Sequence, residues 1–128
     1  MNIKESNITI AKFMGCTDIE WKVHGDGGNH VLMAICPVEA ASITRSFRSN
    51  TLLMIKRFDR SLDTLVHVWK KLEDYDSGDF FCEKMEDDTY RVTVNSFDKK
   101  GECRMSVHYG KIIQEAAAIA TATAIEEL

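Results

Sequence analysis

His24 and His30 flank a glycine-rich turn, Gly25-Asp26-Gly27-Gly28-Asn29. Facing each other across it, with Asp26 between them, they would offer a transition metal two imidazoles and a carboxylate. No further protein ligand is evident nearby, because Cys16 and Cys36 fall at the far end of the same hairpin, roughly 20 Å away at the rise of a strand. A polar turn with exposed histidines explains the same residues more simply. The glycines do not make a phosphate loop: no Gly-Lys-Ser/Thr ending follows, and the segment joins two strands where a phosphate loop opens a helix.

Covalent chemistry has less to stand on. A nucleophile needs a base within hydrogen-bond reach. Cys103 and His108 lie five residues apart on one predicted strand, so they point to opposite faces. Ser106 and His108 share a face, but such pairs are common on strand surfaces. Asp63 beside Ser61 reads as a carboxylate offsetting the positive end of a helix dipole. The sequence therefore points to no enzyme, and it implies no cofactor.

Binding through charge is the better-supported chemistry. Arg45, Arg48, Lys56 and Arg57, interleaved with Phe47 and Phe58, could hold phosphates and stack on a base. Arg60 extends this basic stretch, and only Asp59 opposes it. Glu73 to Asp88 is the reverse, with acids at Glu73, Asp74, Asp76, Asp79, Glu83, Glu86, Asp87 and Asp88 against Lys84. The net charge of −4 and the absence of a known recognition motif weigh against a dedicated nucleic-acid binder. Two solvated surfaces, or patches that meet in an oligomer, account for the asymmetry.

The elements that must carry these residues fit one α+β domain spanning residues 1–128. A hydrophobic fraction of 45% suffices for a core, and a single proline with 28% charged residues argues against long disorder. The N-terminus lacks the apolar run of a signal peptide, and no stretch approaches a membrane span, so a cytoplasmic protein that does not enter a membrane is expected. Cys16, Cys36, Cys82 and Cys103 form no C-x-x-C pair, which makes them small buried hydrophobes in a reducing compartment.

Asn7 to Met14 reads as a short helix capped by Asn7 and ended by Gly15. Thr17 to Cys36 reads as a hairpin. Pairing His24 with His30 sets Val23 opposite Val31, Trp21 opposite Met33 and Ile19 opposite Ile35, with all six apolar residues on one face. Pro37 to Phe58 reads as an irregular connection with helical pieces. Ser61 to Leu72 carries Leu62, Leu65, Val66, Val68, Trp69 and Leu72 on one side of a helical wheel, with Ser61 as N-cap. Phe80 to Tyr109 reads as a three-stranded meander with turns at Asp87-Asp88 and at Asp98-Lys99-Lys100-Gly101. Pairing Phe97 with Glu102 sets Val94 opposite Met105, Val92 opposite Val107 and Tyr90 opposite Tyr109. Lys111 to Leu128 is an alanine-dense helix that should be largely covered. The expected fold is an α+β domain with a mainly antiparallel sheet of about five strands and helices packed against it.

Three blocks carry a family resemblance. Ile10-Ala11-Lys12-Phe13-Met14-Gly15, the helix Ser61-Leu62-Asp63-Thr64-Leu65-Val66-His67-Val68-Trp69, and the closing alanine-rich helix resemble the small bacteriophage and prophage proteins of the phage ABA sandwich domain. The resemblance implies a layered helix–sheet–helix sandwich encoded by phage or integrated mobile DNA and acting in the bacterial host cell. It transfers no catalytic residue, because the matching positions look structural. The resulting expectation is a non-enzymatic protein-interaction module that forms a homodimer, with a host or phage protein as a further partner. The alternative is a nucleic-acid-binding accessory protein using Arg45 to Arg60.

Overall fold

The computed structural model describes residues 1–24, 29–75, 77 and 79–128. Its element order is α1 (Ile3–Phe13), β1 (Thr17–His24), β2 (Asn29–Ile35), β3 (Leu52–Ile55), α2 (Leu62–Leu72), β4 (Asp79–Lys84), β5 (Tyr90–Phe97), β6 (Cys103–Gly110) and α3 (Ile113–Glu126), with a 3-10 turn at Val38–Ile43.

The single five-stranded sheet is not what forms. Six strands make two separate antiparallel sheets, in the orders β1-β2-β3 and β4-β5-β6. The cause lies in α3. Ala116, Ala117, Ala118, Ala120, Thr121, Ala122 and Ala124 are all buried, and these positions run around the helix instead of marking one stripe. A helix apolar on every side must be covered on every side. It packs on β5 and β6 on one flank and on α1 and α2 on the other, while α1 also touches β1. Helices thus lie between two sheets, inverting the helix–sheet–helix layering implied by the family resemblance.

Both hairpins are shifted by one residue from the expected register. In the first, His24 pairs with Asn29, Val23 with His30 and Trp21 with Leu32. Leu32 and Ala34 enter the core, where Val31, Met33 and Ile35 were expected. β2 is apolar at both parities from Val31 to Ile35, so alternation carried no information about which face is buried. A bulge between Thr17 and Glu20 shifts the ladder further. Asp18 sits there at φ +52°, the left-handed conformation in which an extra residue can be accommodated.

In the second hairpin the turn is as expected but the register is not. Gly101 takes φ +79° and its N–H donates to the Asp98 carbonyl at 2.9 Å. A type I turn followed by a left-handed residue closes a three-residue loop. Asp98 therefore faces Glu102, and Val94 meets Ser106 and Val92 meets His108. The slip moves Met105, Val107 and Tyr109 to the outer face.

α1 begins earlier than expected. Asn2 is its N-cap, in a capping box with Glu5. Asn7 is a buried mid-helix residue whose amide spans two elements. Its Nδ2 donates to the Asp59 carboxylate at 2.9 Å, and its Oδ1 accepts from the Phe58 N–H at 2.8 Å. Gly15 does end the helix at φ +90°. A Cβ there would come within 3.1 Å of the Pro37 ring.

Candidate functional site

A chemically mixed concavity that gathers four cations against an apolar wall lies where the end of the first sheet meets the start of α2. It is a cleft of about 470 Å³. Val31, Leu32, Met54 and Ile55 supply its apolar wall, and Arg45, Lys56, Arg57 and Arg60 its cations. Ser61, Asp63, Thr64 and His67 contribute from α2. Local sequence explains this convergence. β3 runs into Lys56 and Arg57, buried Phe58 and Asp59 pin the chain, and Ser61 opens α2 within a few residues. Thr44 bridges to Ile55, which carries Arg45 to the same rim.

The four cations are not equivalent. The Arg57 guanidinium is committed: its Nε donates to Asp59 Oδ1 at 3.0 Å and its Nη2 to Oδ2 at 2.7 Å. It also lies 5.1 Å over the Trp21 ring and donates to the His30 carbonyl at 3.3 Å. Asp59 is 2% exposed, so this two-pronged pair with Asn7 alongside is an internal brace. Arg60 stands 3.7 Å from the same carboxylate and is largely exposed. Lys56 reaches the Ser42 carbonyl at 3.5 Å. Arg45 has no ion pair among the described residues.

Of the residues expected to bind nucleic acid, Arg45, Lys56 and Arg57 come together in this cleft, and Arg48 is exposed outside it. Phe58 is fully buried and cannot stack on a base. Arg60, Thr64 and His67 belong to the cleft but were not singled out as binding residues. Arg60 belongs to the basic run, while Thr64 and His67 lie on α2 away from the apolar side that its sequence marks. For the metal reading, Asp26 lies outside the described residues, as does the side chain of His24. The backbone register sets His24 opposite Asn29 and not His30. Among the described residues no group of three histidine, cysteine, aspartate or glutamate side chains is placed to hold a metal ion.

A second feature is a sheet face. The outer face of the β4-β5-β6 sheet displays Phe81, Phe97, Met105, Val107 and Tyr109, each between 40% and 70% exposed. Register aligns Phe81 with Thr93 and Val107 in one row, and Glu83 with Arg91 and Tyr109 in the next. Arg91 Nη2 donates to both oxygens of Glu83 at 2.9 Å. Hydrogen bonding to Tyr109 and the charge of Glu83 raise the Arg91 pKa further. Cys103 is exposed on the same face.

The cysteines divide in two. Cys16 and Cys36 are buried with their sulfurs 3.1 Å apart, brought together because Thr17 pairs with Ile35. Burial, then the Cys36 thiol beside it, pushes the Cys16 pKa well up. The expectation of small buried hydrophobes describes this pair but not Cys82 and Cys103, which are exposed.

In comparisons with family models, with curated proteins and with solved structures, nothing matches this chain. Among the described residues no helix is long and apolar enough to cross a membrane.

Proposed function

We propose that this protein is a non-enzymatic interaction module that self-associates through the outer face of its β4-β5-β6 sheet. The observation that carries the reading is the alignment of Phe81, Phe97, Met105, Val107 and Tyr109 on one solvent-facing sheet surface. An antiparallel sheet with one solvated face ordinarily alternates apolar inward and polar outward. Here the outward set is largely apolar, and contiguous exposed apolar surface marks an interaction site. The occupant is a second copy. The face is apolar along β6 and carries the Glu83–Arg91 pair at one end, so a two-fold arrangement buries the aliphatic and aromatic rows and leaves the ion pair at the rim.

The nucleic-acid alternative is left with little. Arg57 is held by Asp59, Arg48 stands apart and Phe58 is buried. Arg45, Lys56 and Arg60 remain, gathered on one cleft rim, which is short of a track for a strand. A phage or mobile-element origin in a bacterial host rests on the resemblance of the three sequence blocks alone.

Sedimentation equilibrium over a range of concentrations tests the proposal. The wild-type chain should sediment as a dimer, and Met105→Glu with Val107→Lys should sediment as a monomer with an unchanged far-ultraviolet circular dichroism spectrum. A wild-type chain that stays monomeric at the highest concentration would exclude self-association.

A further inference from the structure

We infer that the cleft between the first sheet and α2 is a binding site for a small organic phosphate. α2 is an 11-residue helix whose N-cap residue, Ser61, makes no side-chain capping hydrogen bond. Its first backbone N–H groups and the positive end of its dipole are thus open to an anion. A second observation is independent of the helix end. Thr64 is 4% exposed and lines the cleft. Its hydroxyl makes no hydrogen bond to another described residue, and it is not among the enclosed unpartnered atoms, so it opens onto the cleft. A hydroxyl on an otherwise buried side chain that opens onto a cleft without a protein partner is free to donate to or accept from a ligand atom there.

The charges favour phosphate over a neutral ligand. Arg45, Lys56 and Arg60 converge on the rim with no strong partner of their own, while Arg57 is braced by Asp59. Asp63 also lines the cleft. It would repel a phosphate placed directly against it, so it suits a hydroxyl or amino group elsewhere on the ligand. The apolar wall of Val31, Leu32, Met54 and Ile55 calls for an organic body, and a volume of about 470 Å³ falls within the small-molecule range. Phosphate at the helix end, carbon skeleton on the sheet and a polar group toward Asp63 together describe a nucleotide- or sugar-phosphate-sized ligand.

Heteronuclear NMR titration of the full chain tests this, with adenosine monophosphate, glucose 6-phosphate and phenyl phosphate as organic probes. Inorganic phosphate, adenosine and a short single-stranded oligonucleotide serve as the contrasting arms. At least one organic phosphate should give saturable shifts at the amides of Ser61 to Thr64. It should bind about tenfold more tightly than inorganic phosphate or adenosine. Arg45→Ala with Lys56→Ala should weaken that binding about tenfold. Thr64→Val should weaken it severalfold without lowering the thermal midpoint, because the hydroxyl it removes has no partner in the free protein. Three results would overturn the inference: no saturable binding of any organic phosphate at millimolar concentration, unchanged binding in the double variant, or an oligonucleotide that binds more tightly than every small phosphate.

Discussion

The first sheet, β1-β2-β3, and the second, β4-β5-β6, have the same strand count and the same sequential order. In the first, Val23 is the one large apolar strand residue left well exposed among those described; in the second, five are exposed. Connection length explains the difference. β2 and β3 are joined by a long segment whose 3-10 turn packs on α2, with Ile43 buried and Thr44 bridging to Ile55 at the edge of the sheet. The strands of the second sheet are joined by tight turns at Met85–Thr89 and Asp98–Glu102, which leave no chain to lie across its outer face. A long connection that looks untidy in the sequence supplies cover. Short, well-formed turns leave a bare surface for something else to cover.

Two phenylalanines put the sharpest pressure on this contrast. Phe58 is fully buried beside the first sheet, and Phe81 is 59% exposed on the second. Phe58→Ala should cost about 3–5 kcal/mol in urea unfolding, as large-to-small core changes do. Phe81→Ala should stay within about 0.5 kcal/mol at low protein concentration, with a loss that grows as concentration rises if the outer face is a dimer contact. A large, concentration-independent cost for Phe81→Ala would mean that the second sheet is covered within the monomer.

The cysteines repeat the contrast. Refolding the chain in the presence of diamide should join Cys16 to Cys36, the two thiols giving up two electrons and two protons to the reagent. Closing a loop of this length should stabilise the fold by about 3 kcal/mol. Cys16→Ser should abolish the gain. Maleimide should label Cys82 and Cys103 in the native protein and reach Cys16 and Cys36 only after unfolding, since burial keeps Cys16 a protonated thiol. Native labelling of Cys16 would show that the first sheet opens readily.

Element type was readable in the sequence wherever a local signal was strong. The heptad-like spacing from Leu62 to Leu72 gave α2, the turn residues Asp98 and Gly101 gave the last hairpin, and the alanine density gave a covered α3. Register and layering were not readable, for physical reasons. β2 is apolar at both parities, so either face could have been buried. The left-handed residues Asp18 and Gly101 each shift their ladders by one. That α3 demands cover on both flanks was visible in its composition, but what covers it depends on long-range packing. The cleft was half visible: the basic run from Arg45 to Arg60 stands out, while Thr64 and His67 join it only through the angle at which α2 leaves the loop.

A smaller effect probes the inner face of the second sheet. Ser96 is fully buried, and its hydroxyl has no hydrogen-bond partner. Ser96→Ala should raise stability by about 1 kcal/mol, because an unpaired buried hydroxyl costs its desolvation and returns nothing. A loss of stability in differential scanning calorimetry would mean that this hydroxyl is satisfied.

The smallest effect discriminates between the two registers of the last hairpin. With Val92 opposite His108, the imidazole lies on the inner face toward α3. With Val92 opposite Val107 it would point to water. Burial, with the positive amino terminus adding to it, holds the His108 pKa below its ordinary 6.5. The unfolded chain then takes up a proton first as pH falls through about 6.5. Stability should therefore drop on acidification through that range and level off once the folded imidazole is also protonated. Other groups titrate nearby, so the informative quantity is the difference between wild type and His108→Gln. That difference should be flat above about pH 7.5 and shift in favour of the glutamine variant as pH falls toward about 5. A difference independent of pH would place His108 in water, restore Met105, Val107 and Tyr109 to the inner face, and remove the apolar surface on which the dimer rests.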